Sequence, residues 1–185
     1  FRNDEWEKMV KNGLPPAGLK EGAQLISNRY SYQYLTKTKE GYTRTNDNGK
    51  IEKFDKNGKL TRVSDKNNNF IELTYDKSGH LAKLTDNLSR KMEFKFNGKG
   101  LLESITGANG KKCSYTYNEF GELATSTDVE NNKYTYKYKN EAEQHHNLVE
   151  IVYGDKTSMS MVYYGNEKFG NIKSVKDRDG SISEY

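Results

Sequence analysis

The sequence predicts an all-β protein: an antiparallel meander of repeats of about 21 residues that builds a long, twisted and curled ribbon of β-sheet, with a short N-terminal helix and loop as a cap. Three observations predict this fold class. Glycines recur at a fixed interval, apolar residues alternate with polar ones between them, and turn-forming segments rich in Asp, Asn and Gly separate the alternating runs. The recurring glycines are Gly58, Gly79, Gly100 and Gly121.

Residues 1–53 differ from the rest of the chain and are predicted to form the cap. Asn3 or Asp4 can begin a short helix that runs through Val10, and a loop that contains both prolines follows. The first strands come after this loop. We expect the segment to blunt the first edge of the sheet, as terminal units do in repeat proteins.

Residues 54–185 are predicted to hold about six repeats, of which the last is incomplete. The motif of a repeat is an aromatic residue, Asp or Asn, two variable residues, Gly, one variable residue and Leu, and two later copies carry insertions. This pattern suits a type I turn followed by a glycine in the left-handed conformation. The motif residues, to which we assign a structural role, are Phe54, Asp55, Gly58, Leu60, Tyr75, Asp76, Gly79, Leu81, Phe96, Gly100, Leu102, Tyr117, Gly121, Leu123, Tyr138, Leu148, Tyr163 and Ile172.

Two strands and two turns are predicted in each repeat. The strand before the motif alternates, as in Cys113, Tyr115 and Tyr117, which predicts one apolar face. The strand after the motif carries Leu and a second apolar residue three positions later, and this spacing predicts a bulge or a twist. Leu123 is followed instead by Ser126, which breaks the rule. The second turn opens mostly on Asp, whose side chain can hydrogen-bond the backbone two residues on.

Composition excludes several classes of protein. The hydrophobic fraction of 32% is below the roughly 45% of an ordinary globular chain, but an aromatic fraction of 12% argues against disorder. A net charge of +4 is too balanced for a nucleic-acid-binding tail, so no nucleic-acid partner is expected. No stretch approaches the roughly 18 apolar residues of a membrane span. The single cysteine excludes an intrachain disulfide.

No constellation of residues predicts catalysis, a metal site or a cofactor. His145 and His146, together with Glu141 and Glu143, have metal-ligating chemistry, but adjacent histidines in a strand point in opposite directions. The segment is more typical of a polar hairpin tip. We therefore predict that the protein is not an enzyme, and we assign no catalytic, metal-binding or cofactor-binding residue.

Three further side chains have a structural interpretation. The segment that begins at Asp65 is similar to the first residues of a calcium-binding loop, but Phe70 occupies the position where such a loop requires Gly. Cys113 lies in the apolar column of its strand and is expected to be a buried small hydrophobic residue. His80 lies in a turn at a position where other repeats place different residues, so we expect it to be exposed to solvent.

The motif resembles the YD repeat of the rearrangement-hot-spot (Rhs) family, which includes bacterial Rhs toxins, shell-forming subunits of insecticidal toxin complexes and the animal teneurins. The segment Tyr75–Leu81, followed by Asp86, matches the family pattern best, and the resemblance covers roughly residues 42–185. Asn97 and Asn118 depart from the pattern because they stand in place of Asp.

The resemblance implies an encapsulating role. In the family, such repeats form a ribbon that spirals into a hollow shell around a toxic C-terminal domain. For this chain it implies a secreted or surface-exposed bacterial protein, an enclosed C-terminal toxin or cargo domain of the same parent chain as partner, and self-association through sheet edges. Since the chain starts at Phe1 without an initiator Met or an apolar signal core and ends within a repeat, we expect a segment of a longer protein.

Two hypotheses for function follow. The first is a non-enzymatic scaffold, a segment of an Rhs-type shell or fibre that encapsulates or displays cargo such as a toxin domain. The second is an adhesin-like module that binds glycans or cell-surface partners through exposed aromatic residues and the insertion at residues 139–147. Many of the 14 tyrosines fall in predicted apolar columns, which favours packing over a sugar-binding platform.

Overall fold

The computed structural model describes residues 19–26, 33–139, 146–165 and 170–185. Within these ranges the chain forms sixteen β-strands and no helix. The strands follow one another in chain order within one sheet, and each pair with a described register is antiparallel. The predicted all-β meander is therefore confirmed. The helix predicted through Val10 lies outside the described residues.

The strands are short, as the alternating runs of the sequence predict. Each has three to six residues, and the fully described connections between them are short turns. The strands are β1 (Gln24–Ile26), β2 (Tyr34–Lys37), β3 (Gly41–Thr45), β4 (Ile51–Asp55), β5 (Leu60–Ser64), β6 (Phe70–Tyr75), β7 (Leu81–Asp86), β8 (Lys91–Phe96), β9 (Leu102–Thr106), β10 (Lys112–Tyr117), β11 (Leu123–Thr127), β12 (Lys133–Tyr138), β13 (Leu148–Val152), β14 (Ser158–Tyr163), β15 (Ile172–Lys176) and β16 (Ile182–Glu184).

The chain divides into two compact units. The first comprises Phe1–Tyr75 and Leu84–Arg90, and the second comprises Asp76–Lys83 and Lys91–Tyr185. The cap boundary that the sequence predicts at residue 53 falls inside the first unit, and it stays a prediction.

In the first unit, directly opposed residues carry the apolar face from strand to strand. Val63 of β5 is paired with Ile71 of β6 on one side and with Glu52 of β4 on the other. Glu52 is paired in turn with Arg44 of β3. Because opposed residues in a sheet share a face, a pair of opposite charges interrupts the apolar column of this unit, which continues with Leu35 of β2 and Leu25 of β1.

In the second unit the same alternation holds over many strands. Ile105 of β9 is paired with both Phe94 and Cys113. Ile151 of β13 is paired with both Tyr136 and Met159. Mostly polar residues alternate with these positions, with Val152 and Val162 as exceptions, so the predicted apolar face is present.

A register shift follows the motif turn, as the spacing of three predicts. In the hairpin of β10 and β11, Tyr117 is paired with Leu123, but Thr116 is paired with Thr125, so Ala124 has no counterpart. This extra residue turns Leu123 and Ser126 to the same face. Equivalent shifts lie between Lys53 and Phe54, Lys95 and Phe96, Lys137 and Tyr138, and Val162 and Tyr163.

The apolar face is half-buried. None of the described hydrophobic side chains is fully buried, whereas Ser104 of the polar face is 1% exposed. The expectation of a buried Cys113 is wrong, because this thiol is half-buried. The reason is that the described residues form one sheet, and a fully buried core requires a second layer.

Candidate functional site

The motif turn is held by one side-chain oxygen. Asp55 Oδ1 accepts the backbone N–H groups of Asn57 at 2.8 Å and Lys59 at 2.9 Å. Asn97 Oδ1 accepts the N–H groups two and four positions further on, at 2.9 and 3.0 Å, and Asn118 Oδ1 does the same at 3.0 and 2.9 Å. Since Asp and Asn share this acceptor oxygen, the two departures from the motif change the charge of the turn and keep its geometry.

The motif glycine occupies a backbone conformation that other residues rarely adopt. Its N–H donates to the carbonyl of the motif Asp or Asn, at 2.9 to 3.1 Å in the four in-register copies. Its φ lies in the left-handed region, which costs glycine nothing because it has no Cβ. The four values are 81° at Gly58, 89° at Gly79, 76° at Gly100 and 84° at Gly121.

In three repeats the second turn uses the same oxygen arrangement, from Asp65, Asp86 or Asp128, with a left-handed residue other than glycine. Asp65 Oδ1 accepts the N–H groups two and four positions on at 2.8 and 2.9 Å, and Asp128 Oδ1 does so at 2.8 and 2.9 Å. Asn tolerates the left-handed region better than other non-glycine residues do. The left-handed residues are Asn68, Ser89 and Asn131, with φ of 65°, 62° and 65°.

The motif tyrosine reaches back across its neighbouring hairpin. In each of four repeats its hydroxyl donates a hydrogen bond to the backbone carbonyl of the motif Leu 15 residues earlier. Burial raises the pKa of the Tyr138 and Tyr163 hydroxyls, so they remain protonated donors well into the alkaline range. The bonds are Tyr75 to Leu60 (2.8 Å), Tyr117 to Leu102 (2.8 Å), Tyr138 to Leu123 (3.1 Å) and Tyr163 to Leu148 (2.9 Å).

Ser126 is the polar exception in the apolar column, and the structure supplies a partner for it. It is paired with both Tyr115 and Tyr134 across the strands, and its Oγ lies 2.9 Å from the hydroxyl of Tyr136. A polar side chain is tolerated here because the neighbouring tyrosine satisfies it.

Two histidines join side chains of the motif turns. His80 stacks on Phe96, with ring centroids 4.6 Å apart, and its Nδ1 lies 3.2 Å from Asp76 Oδ2. The His80 side chain is 35% exposed, so the expected solvent exposure is partial: the motif aromatic residue of the following repeat stacks on the ring. His146 Nδ1 lies 2.7 Å from Glu122 Oε1. The stack of His80 on Phe96 and the contact of His146 with Glu122 were not predicted, because each joins residues of different repeats.

A charged cluster interrupts the apolar column of the first unit. The Glu52 side chain is 7% exposed and forms ion pairs with Arg44 and, at 2.7 Å, with Lys50. Burial alone would raise the pKa of Glu52, but the hydrogen bonds and charges of the two cations outweigh burial and lower it. Glu52 is therefore ionised at neutral pH.

The described residues offer no group of three or more His, Cys, Asp and Glu side chains arranged to hold a metal ion. Asp65, at the start of the calcium-like segment, directs its oxygens to the turn: Oδ1 to two backbone N–H groups and Oδ2 to the Asn69 amide at 2.8 Å. His145 and both insertion glutamates lie outside the described residues. In the part of the chain that the structure describes, no helix is long and apolar enough to cross a membrane.

The chain is similar in fold to parts of solved Tc toxin structures. It matches the crystal structure of TcdB2-TccC3-TEV with a TM-score of 0.63 at 14% identity, over 88% of this chain and 10% of that chain. It matches the Photorhabdus luminescens Tc holotoxin pore with a TM-score of 0.54 at 14% identity, over 78% and 9%. It matches TcdB2-TccC3-Cdc42 with a TM-score of 0.55 at 14% identity, over 83% and 10%.

These matches establish a shared fold. No model of a known protein family matches the chain, and no curated protein matches its sequence. The chain spans about a tenth of the length of the chains it resembles. The antiparallel sheet that the sequence predicts is thus of the type found in Tc toxin structures, while the cargo, the partners and the location of the parent protein are matters for proposal.

Proposed function

We propose that this chain is a non-enzymatic structural module, a segment of an Rhs-type β-shell or fibre of a secreted or surface bacterial protein. The observation that carries the proposal is the sheet itself: the described strands run in chain order, with one polar face and one apolar face that is nowhere fully buried. Such a sheet is suited to form a wall, because successive repeats share the motif turn and the antiparallel strands. The fold similarity to Tc toxin structures supports it.

The module encloses or displays cargo, such as a C-terminal toxin domain of the same parent chain. The half-buried apolar columns support this role, since an exposed apolar surface of this kind is a site for contact with another polypeptide. The residues that maintain the wall are the motif residues, through the turn oxygen, the left-handed glycine and the tyrosine hydroxyl. Their role is structural.

Electron microscopy of the full-length protein that contains this chain tests the proposal. We expect a hollow or ribbon-like particle, and a compact globule would contradict it. Limited proteolysis of the same protein tests encapsulation: a cargo domain inside a shell resists protease until the shell is opened. If protease cleaves the cargo domain as fast as it cleaves the free domain, the cargo is not enclosed, and a fibre or display role is the one that fits.

The adhesin hypothesis stays a prediction. Most of the 139–147 insertion on which it depends lies outside the described residues. A glycan array probed with the protein and with a variant that lacks residues 140–145 tests it, because only an adhesin of this kind loses binding with the insertion.

A further inference from the structure

An open concavity of about 570 Å³ lies on the first unit. The turns that follow β3, β5 and β7 border it, and its volume falls in the range of about 300–1,000 Å³ typical of ligand sites. Val63 and Ile71, which are directly paired, supply its aliphatic surface. Ile71 is 46% exposed, so a ligand that covers it removes apolar surface from water.

A chain of side-chain amides forms the polar part of the concavity. Asn87 Nδ2 donates to Asn69 Oδ1 at 3.3 Å, and Asn69 Nδ2 donates to Asp65 Oδ2 at 2.8 Å. The backbone N–H of Asn87 also donates to the Phe70 carbonyl at 3.2 Å, which fixes one turn against the other. A carboxamide has two N–H donors and two acceptor lone pairs. Among the contacts of the described residues, each amide therefore retains a donor and an acceptor.

The charges around the concavity compensate one another. Lys50 is paired with Glu52 at 2.7 Å, and Arg90 is paired with Asp86 at 2.6 Å. The third cation of the lining, Lys66, acts on the carboxylate of Asp65. A hydrogen bond from the Asn69 side chain, with backbone N–H groups of the same turn, lowers the pKa of Asp65, so Asp65 is an ionised acceptor at neutral pH. An anionic ligand would meet this carboxylate, whereas a neutral ligand would not be repelled.

We propose that this concavity binds a neutral saccharide. A pyranose ring presents an apolar C–H face, which suits the Val63 and Ile71 surface, and hydroxyl groups that both donate and accept hydrogen bonds. The amides of Asn69 and Asn87 offer both functions side by side, and Asp65 offers an acceptor. This site is distinct from the 139–147 insertion, and it does not depend on the shell proposed above.

The second unit provides a matched control. Asn132 repeats the internal bonds of Asn69: its N–H donates to Asp128 Oδ1 at 2.9 Å and its Nδ2 to Asp128 Oδ2 at 3.0 Å. Its turn is joined to the preceding turn by an ion pair between Lys111 and Glu130 rather than by an amide chain. The Asn132→Ala variant therefore loses the same side-chain hydrogen bond to the Asp of its turn as Asn69→Ala does, and it leaves the concavity intact.

The experiment uses the intact chain on an array of neutral oligosaccharides of hexoses and N-acetylhexosamines, together with their sialylated counterparts. The strongest neutral oligosaccharide is then titrated as a free ligand into the wild type and the variants. We expect Asn69→Ala and Asn87→Ala each to weaken binding about three- to tenfold, the effect of one or two lost hydrogen bonds, and Asn132→Ala to leave it unchanged.

Deletion of residues 140–145 is also expected to leave this binding unchanged. Failure of the wild type to bind any neutral oligosaccharide, binding to sialylated ones alone, or equal loss in Asn69→Ala and Asn132→Ala would overturn the proposal. Thermal unfolding of each variant separates loss of binding from loss of fold. None of these results bears on whether the full-length protein forms a shell.

Discussion

The motif tyrosine contributes to the sheet in two ways. Its ring occupies the apolar face, opposite the Leu that follows the turn, as in the pair of Tyr117 with Leu123. Its hydroxyl donates to the carbonyl of Leu102, a residue of the preceding repeat. Phe54 and Phe96 can make the first contribution and not the second, because they lack the hydroxyl. A repeat with tyrosine is thus joined to its neighbour by one more hydrogen bond than a repeat with phenylalanine.

The Tyr117→Phe substitution measures this contribution. It removes the hydroxyl and leaves the Leu102 carbonyl without that partner, so we expect the free energy of unfolding to fall by about 1 kcal/mol. Urea denaturation gives the value. Tyr34→Phe is the control, because Tyr34 is 41% exposed and its hydroxyl is accessible to water, and it should change stability by less than about 0.5 kcal/mol.

The buried charge of Glu52 contributes to the stability of the first unit. Its folded pKa is lowered, so its ion pairs stabilise the fold fully above the ordinary value of 4.5, and this stabilisation is lost as the pH falls through the folded pKa. We expect Glu52→Gln to cost about 1–2 kcal/mol at pH 7, since its cationic partners are half-exposed, and progressively less below pH 4.5.

Urea denaturation of Glu52→Gln and the wild type at pH 7 and pH 3 tests this dependence. Glu72→Gln serves as the matched control, because Glu72 also pairs with an arginine but its side chain is 49% exposed. Its effect should stay below about 0.5 kcal/mol at both pH values. A constant cost of Glu52→Gln across the pH range would contradict the ion-pair account.

At the scale of the element, the hairpin depends on its turn conformation. The turn after β8 contains two glycines with different roles: Gly100 has a φ of 76°, and Gly98 lies outside the left-handed region with no atom within 4 Å of an added Cβ. A Cβ at Gly100 would also lie 3.2 Å from His80 Nε2. The backbone conformation therefore requires glycine at position 100 and does not require it at position 98.

Substitution of the two glycines by alanine tests this difference. Gly100→Ala should lower the free energy of unfolding by about 1–2 kcal/mol, because an alanine in the left-handed region is strained. Gly98→Ala should leave it unchanged or raise it by up to about 1 kcal/mol through the unfolded state. Thermal and urea unfolding of both variants give the comparison, and equal effects at the two positions would show that the assignment of the left-handed position is wrong.

The sequence predicts the features of a strand or turn that depend only on residues close together in the chain. The left-handed glycines, the alternating strands and the bulge after each motif Leu all follow from residues within one hairpin. The hydrogen bond from Tyr117 to Leu102 and the stacking of His80 on Phe96 were not predicted, because they join residues 15 or more positions apart that meet only when hairpins are side by side. The half-exposure of Cys113 was also missed, since alternation defines a face but not what covers it.

At the scale of the whole molecule, the fixed repeat length keeps the apolar residues of successive strands on the same face of the sheet. Every residue of a strand changes face when the register moves by one position, so the interval between motifs must be constant unless a loop absorbs the difference. The insertions after Tyr138 and Tyr163 fall between paired strands, and the pairs of Tyr138 with Leu148 and Tyr163 with Ile172 are maintained. Added residues are therefore tolerated at the motif turn.

Deletion of residues 102–122 tests the modular character of the second unit. It removes one repeat and joins Leu101 to Leu123, which restores the motif after β8 and allows Phe96 to pair with Leu123. We expect this variant to retain the far-ultraviolet circular dichroism of a β-sheet and to unfold at a lower urea concentration, since one stabilising interface is lost.

Deletion of residues 102–121 provides a comparison, because it leaves one extra residue, Glu122, in the motif turn. The pairs of Tyr138 with Leu148 and Tyr163 with Ile172 persist despite longer intervals, so we expect this second variant to unfold cooperatively as well. Loss of cooperative unfolding in both variants would contradict the modular character of the second unit.

Because one acceptor oxygen holds the motif turn, the charge of the turn can change without a change in its backbone conformation. An exchange between Asp and Asn at positions such as Asp55, Asn97 and Asn118 alters the charge by one unit while both backbone bonds persist. Point mutations can therefore change the net charge of the motif turns while each turn keeps its conformation. A change in net charge alters solubility and the attraction to oppositely charged surfaces.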